Sequence, residues 1–204
     1  FIGYDIVDDF IFEAFPARIV FGAGKIAEVP AELDRLDASS ALLITTLSQS
    51  FVADEIERSL GTHCAARIDG AVVHVPRENV DAAIALCEEK NCDSVISIGG
   101  GSAVGLAKAI ALSRGLPIVA VPSTFAGSEM TDIWGISECD GKITGRDAVV
   151  VPKTVIYDIG LTRGYPARLA GPSGINAMAH SVEALYAQNR NPVLSVFAEE
   201  GIRS

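Results

Sequence analysis

Residues 95–112 read VISIGGGSAVGLAKAIAL. A short apolar run stops at three consecutive glycines, a serine follows, and a helix-forming stretch opens behind it. Strand, glycine turn, helix is the repeating unit of open α/β sheets. A helix N-terminus presents unpaired N–H groups and a partial positive charge, which suits phosphate. Glycines let the backbone approach a ligand closely and adopt positive φ. Ser102 is placed to cap the helix or to donate to a ligand oxygen. Neither GxxxxGK[ST] nor GxGxxG is present, so the loop points to a phosphate, as in a nucleotide, and leaves the class open. A plain glycine-rich turn has the same pattern. Gly105, in the first helical turn, is a poor helix former and asks for a reason.

The alternation of strand and helix continues on both sides. Residues 41–46, ALLITT, read as a buried strand, and Val52, Ile56 and Leu60 form a helix stripe after it. Residues 71–75, AVVHV, are a strand candidate, with another at 65–68. Asn79 is placed to cap a helix whose stripe is Val80, Ala83, Ile84 and Cys87. The strand at 94–98 leads into the glycine loop, the helix ends near Gly115, and PIVAV at 117–121 follows. These strands are apolar on both faces and joined by helix-length connections. They predict a doubly wound, mostly parallel α/β sheet of Rossmann-like type.

After Pro122 the pattern changes. Residues 131–147 hold two alternating arms around Asp140-Gly141, a hairpin signal. TVIYD at 154–158 reads as a last sheet strand, 162–174 as a turn-rich connector and 175–187 as a helix. A boundary near Thr162 divides the chain into a dinucleotide-binding α/β domain, 1–162, and the beginning of an all-helical domain, 163–204. About 40 residues are few for an independent core, so that second domain reads as started rather than finished.

Composition narrows the class. The chain has 204 residues, 49% apolar and 21% charged, a globular balance. Mean hydropathy is +0.34, yet no uncharged apolar run approaches the ~18 residues of a membrane span. The N-terminal stretch FIGYDIVDDFIFEAF lacks the basic region of a signal peptide, and a cytoplasmic location is expected. A net charge of −10 argues against nucleic acid or an anionic membrane as partner. Cys64, Cys87, Cys92 and Cys139 show no metal or redox spacing and read as free thiols.

Two further stretches carry polar chemistry. In VPSTFAGSEMT, 121–131, Ser123, Thr124, Ser128 and Thr131 supply hydroxyls and Gly127 permits a tight path. Loops at the carboxyl ends of strands line the ligand crevice of open α/β sheets, so 122–128 and 99–102 are expected to share one. Further on, Asn176 and His180 are four apart and share a helix face, with Glu183 nearby. Such a pair offers two metal ligands or two polar contacts to a substrate, and a histidine on an apolar helix also serves as a core residue. His63 and His74 fall in sheet-like segments and read as structural. Lys108 reads as a solvated or snorkelling side chain and Lys142 as a hairpin lysine.

The ordered set FPARIVFGAGK (15–25), GGGSAVGLAKAIAL (99–112), PSTFAGSEMT (122–131), TGRD (144–147), PKTVIYD (152–158) and GINAMAHSVEALYA (174–187) resembles the iron-containing alcohol dehydrogenase family. Within it, the chain looks most like the maleylacetate reductases. The resemblance implies an N-terminal dinucleotide domain and a C-terminal helical domain with the active site in the cleft between them, and a homodimer. It assigns the cofactor pyrophosphate to Gly99, Gly100, Gly101 and Ser102, and the cofactor's inner half to Thr124, Phe125 and Ser128. Lys142 then lies near the nicotinamide end and Thr46 near the adenosine ribose. An acidic residue at that ribose would favour NAD; Thr46 does not discriminate, so both NADH and NADPH are expected cofactors.

Two departures sort the subfamily. Metal-dependent members carry an Asp in the glycine-loop helix, where this chain has Gly105, and an Asp four residues before the ligand His, where it has Asn176. An amide is a weaker ligand than a carboxylate for a hard divalent cation, so no metal ligand is assigned and iron is disfavoured. The implied reaction is hydride transfer from NAD(P)H to the C=C of maleylacetate, giving 3-oxoadipate, in the degradation of aromatic compounds. His180 and Asn176 are the candidate catalytic pair, as hydrogen-bond donors or as anchors for a small dicarboxylate substrate. Two other readings are a metal-dependent alcohol or polyol dehydrogenase of the same family, and a dinucleotide-binding piece without activity.

Overall fold

The computed structural model describes the chain except residues 1–8, 13, 16 and 164. Most of the N-terminal stretch weighed as a signal peptide therefore lies outside the described residues. The backbone forms two compact units: Pro16–Tyr165, and Pro166–Ser204 together with the described residues before Pro16.

The larger unit is built on a parallel sheet of β1 (Arg18–Gly22), β2 (Ala41–Thr45), β3 (Cys64–Ile68), β4 (Ser94–Gly99), β5 (Ile118–Pro122) and, later in the chain, β8 (Thr154–Asp158). Its spatial order is β1-β8-β5-β4-β2-β3, parallel throughout. Between β5 and β8 the chain makes an antiparallel hairpin of β6 (Ile133–Glu138) and β7 (Gly141–Arg146). Helices α1 (Val29–Arg35), α2 (Ser50–Leu60), α3 (Arg77–Glu89) and α4 (Gly101–Arg114) connect the strands, and α5 (Ile159–Arg163) follows β8.

The central strands are apolar on both faces because both are covered. Leu42, Ile44, Val95, Ile118 and Ala120 join a core with Val80 and Ala83 of α3 and Ala107 and Ile110 of α4. Leu43, Ile96, Ile98, Val119 and Val121 join another with Leu33 of α1 and Val52 and Ile56 of α2. Adjacent residues on one strand thus enter opposite cores, as period-two geometry requires. At the edge, β1 is left open, with Ile19 and Phe21 exposed. Its end is held by Asp158, whose carboxylate accepts from Gly24 N–H (3.1 Å), Ile26 N–H (2.9 Å) and Gly160 N–H (2.8 Å).

Several sequence expectations give way to tertiary structure. Of the two strand candidates at 65–68 and 71–75, the first pairs, and 71–75 is an irregular loop with His74 at φ 67° and Val75 at φ 51°. Neither His63, in a 3₁₀ turn, nor His74 lies in a strand. The helix at 77–89 begins before Asn79, and Pro76, which has no side-chain acceptor, precedes it. The hairpin's two-residue loop is Cys139-Asp140, one residue earlier than expected, since Glu138 pairs with Gly141. All four cysteines are free; burial pushes Cys64 up to about 11 and Cys87 to about 12, which disfavours the reactive thiolate at both.

In the smaller unit, α6 (Ala167–Tyr186) and α7 (Pro192–Arg203) pack together, with Gly201 closely approached by Ser181. Asn191 caps α7, its Oδ1 accepting from Val193 and Leu194 N–H, each at 3.1 Å. The expected connector at 162–174 is helical from Ala167 onward. Pro172 forfeits one backbone bond without ending the helix, which runs on through Gly171, Ser173 and Gly174 although none of these is a good helix former. No helix among the described residues is long and apolar enough to cross a membrane.

Candidate functional site

The strand order contains a switch point. From β2 the chain moves outward to β3, then returns to lay β4 on the other side of β2. Connections diverge there and leave a crevice at the carboxyl ends of the strands. Thr46 stands at the end of β2, Gly99 at the end of β4, and Ser123 and Thr124 follow β5.

These three ends are in close contact. Gly99 adopts φ 146°, a conformation that L side chains rarely take, and an added Cβ would lie 3.1 Å from Thr46 Cγ2 and 3.2 Å from Ala103 Cβ. On Gly100 a Cβ would sit 2.8 Å from Thr124 Oγ1. Ser123 N–H donates to Gly99 O at 3.0 Å, locking the loop after β5 to the glycine turn. Behind the turn, α4 begins at Gly101 with Gly100 at its cap position and no side-chain acceptor there. Ser102 is thus inside the first turn rather than capping it. The first-turn N–H groups are left for another partner.

A cleft of about 420 Å³ opens beside this helix, lined by His74, Ser102, Gly105, Ser128, Lys142 and Thr144 among others. The Ser128 hydroxyl is buried and has no hydrogen-bond partner among the described residues. Lys142 lies across Gly135, where a Cβ would come within 2.6 Å of its Cε. Gly105 borders the cleft, but a Cβ on it would point at Val75, 2.7 Å from Cγ2. Its missing side chain is therefore filled by the loop at 71–76.

Lys108 also reaches this cleft, and it is neither solvated nor snorkelling. It is 1% exposed, and its Nζ donates to Thr131 O (2.7 Å), Ile133 O (2.9 Å) and Thr131 Oγ1 (3.0 Å). Burial pushes its pKa down to about 8, against the opposing pull of the Glu129 and Asp132 carboxylates. Lys108 ties α4 to the base of the hairpin.

Phe125 faces a smaller, mostly apolar cavity of about 200 Å³ with Phe21, Tyr157 and Ile159. Its ring meets Tyr165 edge-on at a centroid distance of 5.6 Å. Tyr157 donates to buried Glu129 at 2.9 Å, and burial pushes the Tyr157 pKa up.

On the smaller unit, Asn176 and His180 stand one turn apart on α6, both exposed within that unit. His180 Nδ1 is 3.7 Å from Glu183 Oε2. Among the described residues no group of three His, Cys, Asp or Glu side chains is arranged to hold a metal. The structure thus gathers Thr46, Gly99, Gly100, Gly101, Ser102 and Thr124 at the switch point, and Ser128 and Lys142 in the adjoining cleft. The sequence reading took His74 as structural and Lys108 as solvated or snorkelling, and it did not single out Asp158. Lys108 left a signal, a lone charge inside an otherwise apolar helix; His74 left none.

Comparison with known proteins agrees with this geometry. The family described as iron-containing alcohol dehydrogenase matches residues 16–159. Maleylacetate reductase 2 of Cupriavidus pinatubonensis is 45% identical over 198 residues, 97% of this chain and 55% of that protein. A maleylacetate reductase of Sphingobium indicum is 46% identical over 195 residues, 96% of this chain and 55% of that protein. The crystal structure of maleylacetate reductase from Agrobacterium tumefaciens superposes with a TM-score of 0.92 at 44% identity, covering 96% of this chain and 56% of that one. The chain spans about half the length of the curated relatives it matches. By its matched residues and its sheet, this chain belongs to the iron-containing alcohol dehydrogenase family.

Proposed function

We propose that the protein acts as a maleylacetate reductase, reducing the C=C of maleylacetate to give 3-oxoadipate at the expense of NADH or NADPH. The observation that carries this reading is 45% identity with a curated maleylacetate reductase across 97% of the chain. The donor set suits a dinucleotide. Glycines that a Cβ would fill, an uncapped helix N-terminus and the unpartnered Ser128 hydroxyl all favour an extended anionic ligand along the strand ends.

A nicotinamide supplies the hydride when bound. The protein's share is placement and electrostatics. Gly99, Gly100, Gly101 and Ser102 take the pyrophosphate on backbone N–H groups. Thr46 faces the adenosine ribose, and Thr124, Phe125 and Ser128 border the rest of the cofactor. Lys142 stands toward the nicotinamide end. Negative charge builds on the substrate as an enolate, and donors aimed at that charge lower the barrier. His180 and Asn176, exposed on one face of α6, are assigned that task or the anchoring of a substrate carboxylate. Maleylacetate, the reduced cofactor and one proton give 3-oxoadipate and the oxidised cofactor. The reading also places the enzyme in the cytoplasm, as a homodimer, in aromatic-compound degradation.

The test is turnover by the full-length protein, followed as maleylacetate-dependent loss of NADH absorbance, for wild type and Gly100→Ala. Wild type turns over. The variant, whose methyl would meet Thr124 at 2.8 Å, loses cofactor affinity, read as a raised KM for NADH. Absence of turnover in wild type refutes the reductase assignment, and an unchanged KM in the variant refutes the placement of the cofactor.

A further inference from the structure

The loop at 71–76 is unusual in its backbone and in what it touches. His74 and Val75 are consecutive non-glycine residues with left-handed φ, 67° and 51°. A β-branched residue there is a conformational outlier, held only where its surroundings insist. Three contacts insist here. Val75 is buried with Ala103 and Ala107 of α4 in one core, and it occupies the space beside Gly105 that any side chain at 105 would claim. Val75 O accepts from Ser137 N–H at 3.0 Å. His74 O accepts from Ser137 Oγ at 2.6 Å.

Ser137 and Lys142 are direct cross-strand partners in the hairpin. Such partners have Cβ atoms about 5 Å apart on one face. The residue that grips His74 is therefore the immediate neighbour of Lys142, and both His74 and Lys142 line the same cleft. His74 itself is exposed there. The third basic group of the cleft, Lys108, has its protons committed to Thr131 and Ile133. Of the nearby carboxylates, Glu138 is engaged by Arg77 and Asp132 by Arg146. In a chain of net charge −10, this leaves, among the described residues, a local site with two donors open to an anion.

We propose that His74 and Lys142 together receive a carboxylate of the substrate and so set a preference for dicarboxylates over monocarboxylates. The proposal rests on the reductase reading for its substrate class and adds the residue that selects it. In this arrangement Gly105 acts through volume: its bare face admits Val75, which seats the loop and presents His74.

The experiment is isothermal titration of the NAD⁺-saturated full-length protein with maleate and with isocrotonate, which keeps the cis four-carbon alkene and lacks one carboxylate. Fluorescence of Trp134, the single tryptophan of these 204 residues, is followed alongside because it lines the cleft. Maleate binds with a change in Trp134 emission. His74→Leu removes the donor and weakens maleate about tenfold, the loss of one charge-assisted hydrogen bond, and leaves isocrotonate and NAD⁺ affinities within twofold. His74→Arg, which keeps a donor, retains maleate binding.

Equal weakening of maleate and isocrotonate by His74→Leu, unchanged maleate affinity, or no maleate binding by wild type would each overturn the proposal. Failure of the reductase reading is distinguished by turnover: a protein that binds maleate through His74 but oxidises no NADH with maleylacetate keeps this site and loses that activity.

Discussion

Gly105 offers the sharpest test of how the larger unit is packed. It lies inside α4, where replacing glycine by alanine ordinarily stabilises by about 1 kcal/mol. Here the new methyl would lie 2.7 Å from Val75 Cγ2, well inside van der Waals contact. Overpacking of that kind costs about 1–3 kcal/mol. With a cost of about 2 kcal/mol, Gly105→Ala is net destabilising by about 1 kcal/mol. Val75→Ala deletes two buried carbons and costs about 2 kcal/mol by itself. In that background the collision is gone, and Gly105→Ala becomes stabilising by about 1 kcal/mol. The double-mutant cycle therefore carries a coupling of about 2 kcal/mol. Urea denaturation followed by Trp134 fluorescence measures all four proteins. Additivity within about 0.5 kcal/mol, with alanine stabilising in both backgrounds, would show that Val75 does not occupy the space beside Gly105.

Two further outcomes follow from buried charges. Lys108 has its pKa lowered from 10.5 to about 8, so the unfolded chain binds more protons between those values and wild-type stability gains on Lys108→Met as pH rises from 8 to 10. The gain is at most about 3 kcal/mol, and urea midpoints of both proteins at pH 7.5 and 9.5 measure it; parallel behaviour refutes the buried ammonium. Glu32 is opposed by burial, yet hydrogen bonds from Arg35, Arg18 and Thr154 outweigh that and hold its pKa below 4.5. Its contribution is present above pH 4.5 and lost as pH falls through the lowered value. Glu32→Gln costs about 2 kcal/mol at pH 7, less than a fully buried pair because both guanidiniums are partly exposed. Acid titration of stability checks it, since the variant lacks that part of the wild-type loss below pH 4.5.

Much of the fold is written locally. Runs such as ALLIT and SVISIG, apolar at every position, require cover on both faces, and the helix stripes between them supply it. The glycine turn between β4 and α4 follows from the abrupt change of character at Gly99. Where local signals compete, the sequence misleads. AVVHV has the composition of a strand, yet Pro76 and the demands of α4 and the hairpin turn it into a left-handed loop. Gly171, Pro172 and Gly174 suggest a connector, yet the helix runs through them.

The amino-acid order by itself determined the parallel α/β class, the hairpin and the polar loops at the strand ends, because each depends on periodicity and turn chemistry within a few residues. It also carried the family motifs that assign those loops to a cofactor. Only the tertiary structure decided which loops meet. The register of β4 beside β2 and β5 brings Gly99 to Thr46 and Gly100 to Thr124. The packing of the 71–76 loop on α4 turns Gly105 from a helix defect into a contact surface, and the hairpin pairing sets His74 beside Lys142. These are contacts between residues up to about 70 positions apart, and no local pattern encodes them, because they depend on the strand order and on which volumes remain unfilled once the sheet has formed.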